Sequence, residues 1–178
     1  MIPKDIEKYE KLTFDEIEEK IWAEYLVEAS TINIHRSVID ANWDGNHYLL
    51  QWIKDNPQVD RATILIAYWM SAPQWFKQYA TREESSNPAS IDWLEEVEQK
   101  YLAGFYQLTT IAMDPASDQD GYDWTSEYTD LVLKRSIPKV MYQKLPGEVV
   151  ERPEEGFEEG LPLTYAQKLN DIITYLYE

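Results

Sequence analysis

The chain has 178 residues, 44% of them hydrophobic and 13% aromatic, which is enough apolar mass for one core and a length that suits one domain better than two. Its 33 acidic and 16 basic side chains leave a net charge of −17, a surface that repels phosphate backbones and anionic headgroups while drawing cations toward it. Nucleic-acid and membrane binding are therefore disfavoured, and with no cysteine both disulfides and thiolate metal sites are excluded.

The opening MIPKDIEKYEKL alternates charged and apolar residues and lacks the apolar core of a signal peptide, so a cytoplasmic protein is expected. Thr13 and Glu16 have the spacing of a capping box, and Ile17, Ile21, Tyr25 and Ala29 form an apolar stripe widened by Trp22 and Leu26. A first helix should begin there, with Glu16 and Lys20 as an i,i+4 pair. A second helix over 31–41 places Ile32, His35 and Ile39 on one face with Ile34 and Val38 beside them. The segment 42–46 reads as a turn, and a third helix from His47 to Asp55 would bury Leu49, Trp52 and Ile53 before Asn56-Pro57 ends it.

The stretch DRATILIAYWM from Asp60 to Met70 has almost no polar face, so a helix there must be wrapped by its neighbours. Asp60 can cap it, and its length falls far below the ~20 residues that cross a bilayer. Pro73 suits the first position of the next helix, where Trp75, Phe76 and Tyr79 share a face. Ser90 can cap a further helix carrying Ile91, Leu94, Val97 and Tyr101 inward, with Gly104 in the position that follows a helix end. Residues 105–162 then hold five of the nine prolines and four of the six glycines, which predicts extended chain wrapping the helices, with short β pieces at 108–112 and 131–134. Thr164 and Gln167 form a second capping box, and Leu169, Ile172, Ile173 and Leu176 give the last helix a stripe with which to dock. The expected fold is thus mainly α, a single domain over 1–178. Its helical core at 12–104 surrounds the short central helix, and a wrapping segment over 105–162 and a C-terminal helix over 163–178 close it.

His35, the turn Asn42-Trp43-Asp44-Gly45, Trp52-Ile53, Asn56-Pro57, Asp60, and Ala62-Thr63 through Tyr68-Trp69 resemble, in that order, the bacterial family called domain of unknown function 4274. The resemblance covers about residues 31–72 and departs from the family in having the single acidic residue Asp44 before the glycine. It implies a helical bacterial cytoplasmic protein and brings no activity with it. Members of the family look like the small acidic proteins found beside polymorphic toxins.

Chemistry-bearing motifs are scarce. Placing Gly121 at position 6 of a calcium loop puts Asp118, Asp120 and Glu127 at positions 3, 5 and 12, but position 1 would be Ala116. A solvated turn is the simpler reading. The two histidines match no common zinc spacing, no glycine-rich phosphate loop or nucleophile elbow occurs, and no cofactor is implied. Five tryptophans fall on helical stripes, whereas Trp43 and Trp124 sit next to aspartate in turns and are the better surface anchors. Residues 1–89 carry 9 basic and 15 acidic side chains against 7 and 18 in residues 90–178, so the later half is the more anionic. The expected function is protein binding without catalysis, directed at a basic protein such as a toxin domain. Trp43, Asp118, Asp120, Asp123, Trp124, Glu154, Glu155, Glu158 and Glu159 are the contact candidates. The alternative is an enzyme whose acid/base groups are His35, Asp44 and Asp60.

Overall fold

The computed structural model describes residues 5–43 and 45–177, which are mainly α-helical and divide into two compact units, Met1–Leu49 with Pro153–Glu178 and Leu50–Arg152. Among the described residues no helix is long and apolar enough to cross a membrane.

In the first unit, α1 (Phe14–Glu28) starts where its capping box directs. The Thr13 hydroxyl accepts the Glu16 N–H at 3.3 Å, and the Glu16 carboxylate accepts the Thr13 N–H at 2.8 Å. The expected stripe is buried at Ile17, Ile21, Trp22, Tyr25 and Leu26. Lys20 does not pair with Glu16: its ammonium lies over the Tyr9 ring and reaches the Lys8 carbonyl at 3.3 Å, because Glu16 is already engaged by its cap. In α2 (Thr31–Ile39), capped by Ser30, the inward face centres on Ile34, Val38 and Ile39 and includes His35 and Ser37. Ile32, expected on that face, is only half-buried, and Ser37 is drawn in by a 2.9 Å hydrogen bond with the Tyr25 hydroxyl. The carbonyl of Asn42 accepts the N–H groups of Gly45 and Asn46 at 3.1 and 2.9 Å, closing the turn that leads into α3 (His47–Asp55). That helix has the bounds read from the sequence and carries the chain from the first unit into the second.

The strands β1 (Phe157–Glu158) and β2 (Leu161–Pro162) pair antiparallel, with Glu158 opposite Leu161. Glu159 and Gly160 between them have φ of 48° and 86°, the positive values that a two-residue type I′ hairpin needs at both central positions. Gly160 is required twice over, since a Cβ there would lie 2.7 Å from the Ser37 carbonyl oxygen. Its N–H donates to Asp40 at 3.1 Å, which docks the hairpin tip at the end of α2. Then α7 (Leu163–Tyr177) packs on α1 through the Tyr25 and Tyr165 rings, 5.4 Å apart, the Lys168–Glu24 ion pair and the Tyr177 hydroxyl on the Leu12 carbonyl at 3.0 Å. The helix takes in Leu163, so Thr164 lies inside it, and Ile172 is the one fully buried member of the expected stripe, with Leu169, Ile173 and Leu176 half-buried.

The second unit is built on α4 (Arg61–Met70), whose residues Ala62 to Trp69 are all at most 1% exposed. Each large side chain buried this way contributes about 1.5–3 kcal/mol of transfer free energy. Asp60 caps the helix as expected, its Oδ1 accepting the Ala62 N–H at 2.9 Å. Ala72 at φ 52° breaks the rod, and α5 (Pro73–Lys77) begins at the proline. The sequence expects Trp75, Phe76 and Tyr79 to share a face and Trp75 to pack in the core. The structure turns Pro73, Gln74 and Lys77 in and leaves Trp75 43% exposed against Tyr128. The cause is charge, since the buried Lys77 ammonium donates to Glu98 on α6 at 2.8 Å. Helix α6 (Pro88–Leu102) is capped by Asn87, which accepts the Ser90 N–H at 3.2 Å, rather than by Ser90 itself. Gly104 follows its end at φ 71°, as expected.

From Phe105 to Arg152 the chain runs extended over these helices. The Asp60 carboxylate accepts the Thr110 N–H at 2.6 Å and hydroxyl at 2.9 Å, the Trp69 indole donates to the Met141 carbonyl at 2.9 Å, and Arg135 donates to the Phe76 and Tyr79 carbonyls at 2.9 and 2.8 Å. Of the expected β pieces, residues 108–112 contribute only the isolated bridge of Ile111 to Glu148, and Leu131 to Lys134 are irregular chain with a bend at either end.

Candidate functional site

The first unit holds a groove of about 450 Å³, half open to solvent. Its volume falls in the range of roughly 300–1,000 Å³ usual for ligand sites. Phe14 and Glu18 come from the first turns of α1, Asn46 from the residue that precedes α3, and Glu158, Glu159 and Leu161 from the hairpin. The far wall is α7, with Ala166, Gln167, Leu169, Asn170 and Ile173. The lining is more polar than apolar: carboxylates and amides dominate it, with apolar patches at Phe14, Leu161, Leu169 and Ile173.

Electrostatics single this groove out. Among the described residues no lysine or arginine lines it, and Glu18, Glu158 and Glu159 make no ion pair. Burial, and then the charges of Asp15 and Glu159, raise the Glu18 carboxyl above the ordinary carboxylate range, against a smaller opposing influence of His47. The side chain of Asn46 is 4% exposed, and its Oδ1 is buried without a hydrogen-bond partner. Such an orphaned acceptor costs about 1–3 kcal/mol. The three-dimensional division also redistributes the charge. Met1–Leu49 and Pro153–Glu178 together carry 17 acidic and 6 basic side chains, net −11, against 16 and 10, net −6, over Leu50–Arg152. The first unit thus carries the same net charge as residues 90–178, on fewer residues.

In the second unit most carboxylates near lysine or arginine are taken. Lys54 and Lys100 bind Asp55 and Glu96, Arg135 binds Glu95, Arg82 binds Asp92, and Lys77 binds Glu98. Glu98 also accepts the Tyr68 hydroxyl at 2.6 Å, and burial, then that carboxylate, hold the phenol protonated far above its ordinary range.

The residues singled out from the sequence are scattered between these settings. Glu158 and Glu159 line the groove, and Glu154 and Glu155 are exposed on the approach to the hairpin. Trp43 is half-buried, with its indole N–H buried and unpartnered. Asp118 is buried and organises its own loop, accepting the N–H groups of Asp120 and Tyr122 at 2.9 Å each and the Trp124 indole at 2.8 Å. Trp124 in turn gives its carbonyl to Gln74 at 2.8 Å. Asp120 pairs with Arg152 at 3.0 Å, Asp123 caps a short turn through the Thr125 N–H at 2.9 Å, and Glu127 accepts the Tyr122 hydroxyl at 2.6 Å. Among the described residues no group of three or more histidine, aspartate or glutamate side chains is placed to hold a metal ion. His35 is buried in α2, Asp60 has its oxygens engaged by Ala62 and Thr110, and Asp44 lies outside the described residues. Sequence reasoning missed Phe14, Glu18 and Asn46, which no motif marks.

The geometry defines a mainly helical protein with an anionic groove, partly lined by apolar side chains, in the unit formed by its two chain ends. Residues 29–102 match the family model described as Domain of unknown function (DUF4274), so the resemblance carried by the Asn42–Gly45 turn and the central helix holds and extends through α6. Of the groove residues only Asn46 lies within the matched stretch. No curated protein and no solved structure matches the chain.

Proposed function

We propose that the protein is a cytoplasmic binding protein without catalytic role, which captures a basic protein, such as a cationic toxin domain, on its first unit. The observation that carries this reading is the convergence of three unpaired carboxylates, Glu18, Glu158 and Glu159, on one groove in the unit whose net charge is −11. Carboxylates already paired inside the protein have little to offer a partner. Unpaired ones around a low-dielectric cleft focus their field outward and steer a cationic surface in. Of the groups an enzyme at the Asn42–Gly45 turn would use, Asp60 is committed to capping α4 and holding Thr110. The test is to purify the basic products of the genes flanking this one and to pass each over the immobilised full-length chain at low and at high ionic strength. Capture of one of them at low salt, weakened at high salt, supports the reading. Failure to capture any, or capture indifferent to salt, overturns it.

A further inference from the structure

The charge of the groove explains attraction but not its shape. The apolar patch of Leu161, Leu169 and Ile173 within its polar lining suits an aliphatic stem, its carboxylates suit a cationic head, and Asn46 offers one more acceptor that nothing in the protein satisfies. A buried oxygen left without a donor is costly unless a ligand brings the donor with it. A bare ammonium has three donors on a point charge. A guanidinium presents five in a plane, enough to reach a carboxylate with two and a neighbouring carbonyl with another. It also stacks on an aromatic face, and Phe14 at the groove edge is 50% exposed. Resting on the partner reading above, we propose that the groove is an arginine-specific socket: one arginine side chain of the basic partner enters it, its stem along Leu161 and Ile173, its guanidinium shared between Glu18 and the Asn46 Oδ1, with Glu158 and Glu159 at the rim.

The inference accounts for features that have no structural use. Glu159, rather than glycine, occupies a left-handed position at φ 48°, where a branched-off Cβ is disfavoured. Glu18 is held partly buried beside Asp15, Glu159 and Glu19, with only a smaller opposing influence from His47, an arrangement that a bound cation would relieve.

The experiment is a backbone-amide NMR titration of the full chain with acetyl-arginine amide, acetyl-lysine amide and the neutral isostere acetyl-citrulline amide. Arginine should shift the amides of Phe14, Glu18, Asn46, Leu161 and Ile173 together, with millimolar affinity at low salt, lysine more weakly, and citrulline not at all. Asn46→Leu, which strands no acceptor, should weaken arginine binding about tenfold. Should that variant fail to fold, Glu18→Gln with Phe14→Ala probes the same contact. Arginine shifts spread over carboxylates of both units, equal response to citrulline, or wild-type affinity in a folded Asn46→Leu protein each overturn the socket. The two readings fail separately. A flanking-gene product captured equally by wild type and Asn46→Leu removes the socket and leaves the partner. Groove-confined arginine binding with no flanking product captured removes the partner and leaves the socket.

Discussion

Replacing Glu98 by alanine tests how the second unit holds its buried charge. Glu98 is 8% exposed and accepts from Lys77 at 2.8 Å and from the Tyr68 hydroxyl at 2.6 Å; Lys77 is 4% exposed and Tyr68 fully buried. Truncation leaves the buried phenol with no acceptor and the ammonium with only the more distant Glu95 carboxylate at 4.0 Å, and breaking a buried pair from one side costs about 3–5 kcal/mol. For a chain of this size each kcal/mol moves the melting point by about 2–4 °C, so the expected fall in Tm is on the order of 10 °C. The Arg82–Asp92 pair, with side chains 49% and 51% exposed, is the internal control. Asp92→Ala should cost less than about 1 kcal/mol. The double variant Lys77→Met with Glu98→Leu removes both charges at similar volume and should recover the share of the loss that comes from the stranded ammonium, leaving the Tyr68 hydroxyl without its acceptor at about 1–3 kcal/mol. Thermal unfolding followed by near-ultraviolet circular dichroism reads all three. A Glu98→Ala protein no less stable than Asp92→Ala would refute the reasoning, as would a double variant no better than the single one.

Asp60→Ala removes a helix cap worth about 1 kcal/mol and strands the Thr110 donors at about 1–3 kcal/mol, so urea denaturation should show a loss of about 2–4 kcal/mol. Gly160→Ala forces a Cβ to 2.7 Å from the Ser37 oxygen at φ 86° and should cost about 1–3 kcal/mol, with hydrogen exchange quickening first in the hairpin. Glu18→Gln should stabilise the protein at neutral pH. Because burial and the neighbouring carboxylates raise the Glu18 carboxyl above its ordinary 4.5, its contribution to stability is present below that value and lost as pH rises through the higher one. The advantage of the variant should therefore shrink as pH falls below the ordinary value. A pH-independent difference in melting temperature would count against that origin.

Local signals were legible in the sequence. The Thr13–Glu16 box, the bounds of α3, the Asp60 cap, the burial of Ala62 to Trp69 and the proline start of α5 all rest on neighbours within a turn or on a continuous apolar run. What escaped depends on residues far apart in the chain. The apolar face of α5 suggests core packing for Trp75, but Lys77 goes in because Glu98 waits 21 positions later. The hairpin carries Glu159-Gly160 in place of the Asn-Gly or Asp-Gly pair that advertises such a turn. The groove joins residues near position 14 to residues near 173, and no local pattern encodes that meeting.

The measurement that tests the central claim most directly is the association rate of the captured flanking-gene product with the wild-type chain and with Glu18→Gln/Glu158→Gln/Glu159→Gln, by stopped flow over rising ionic strength. Electrostatic steering acts on the on-rate and is screened by salt. The account predicts a wild-type rate that falls steeply with salt, and a variant that starts slower and falls less. Equal rates for the two proteins at low ionic strength would contradict it.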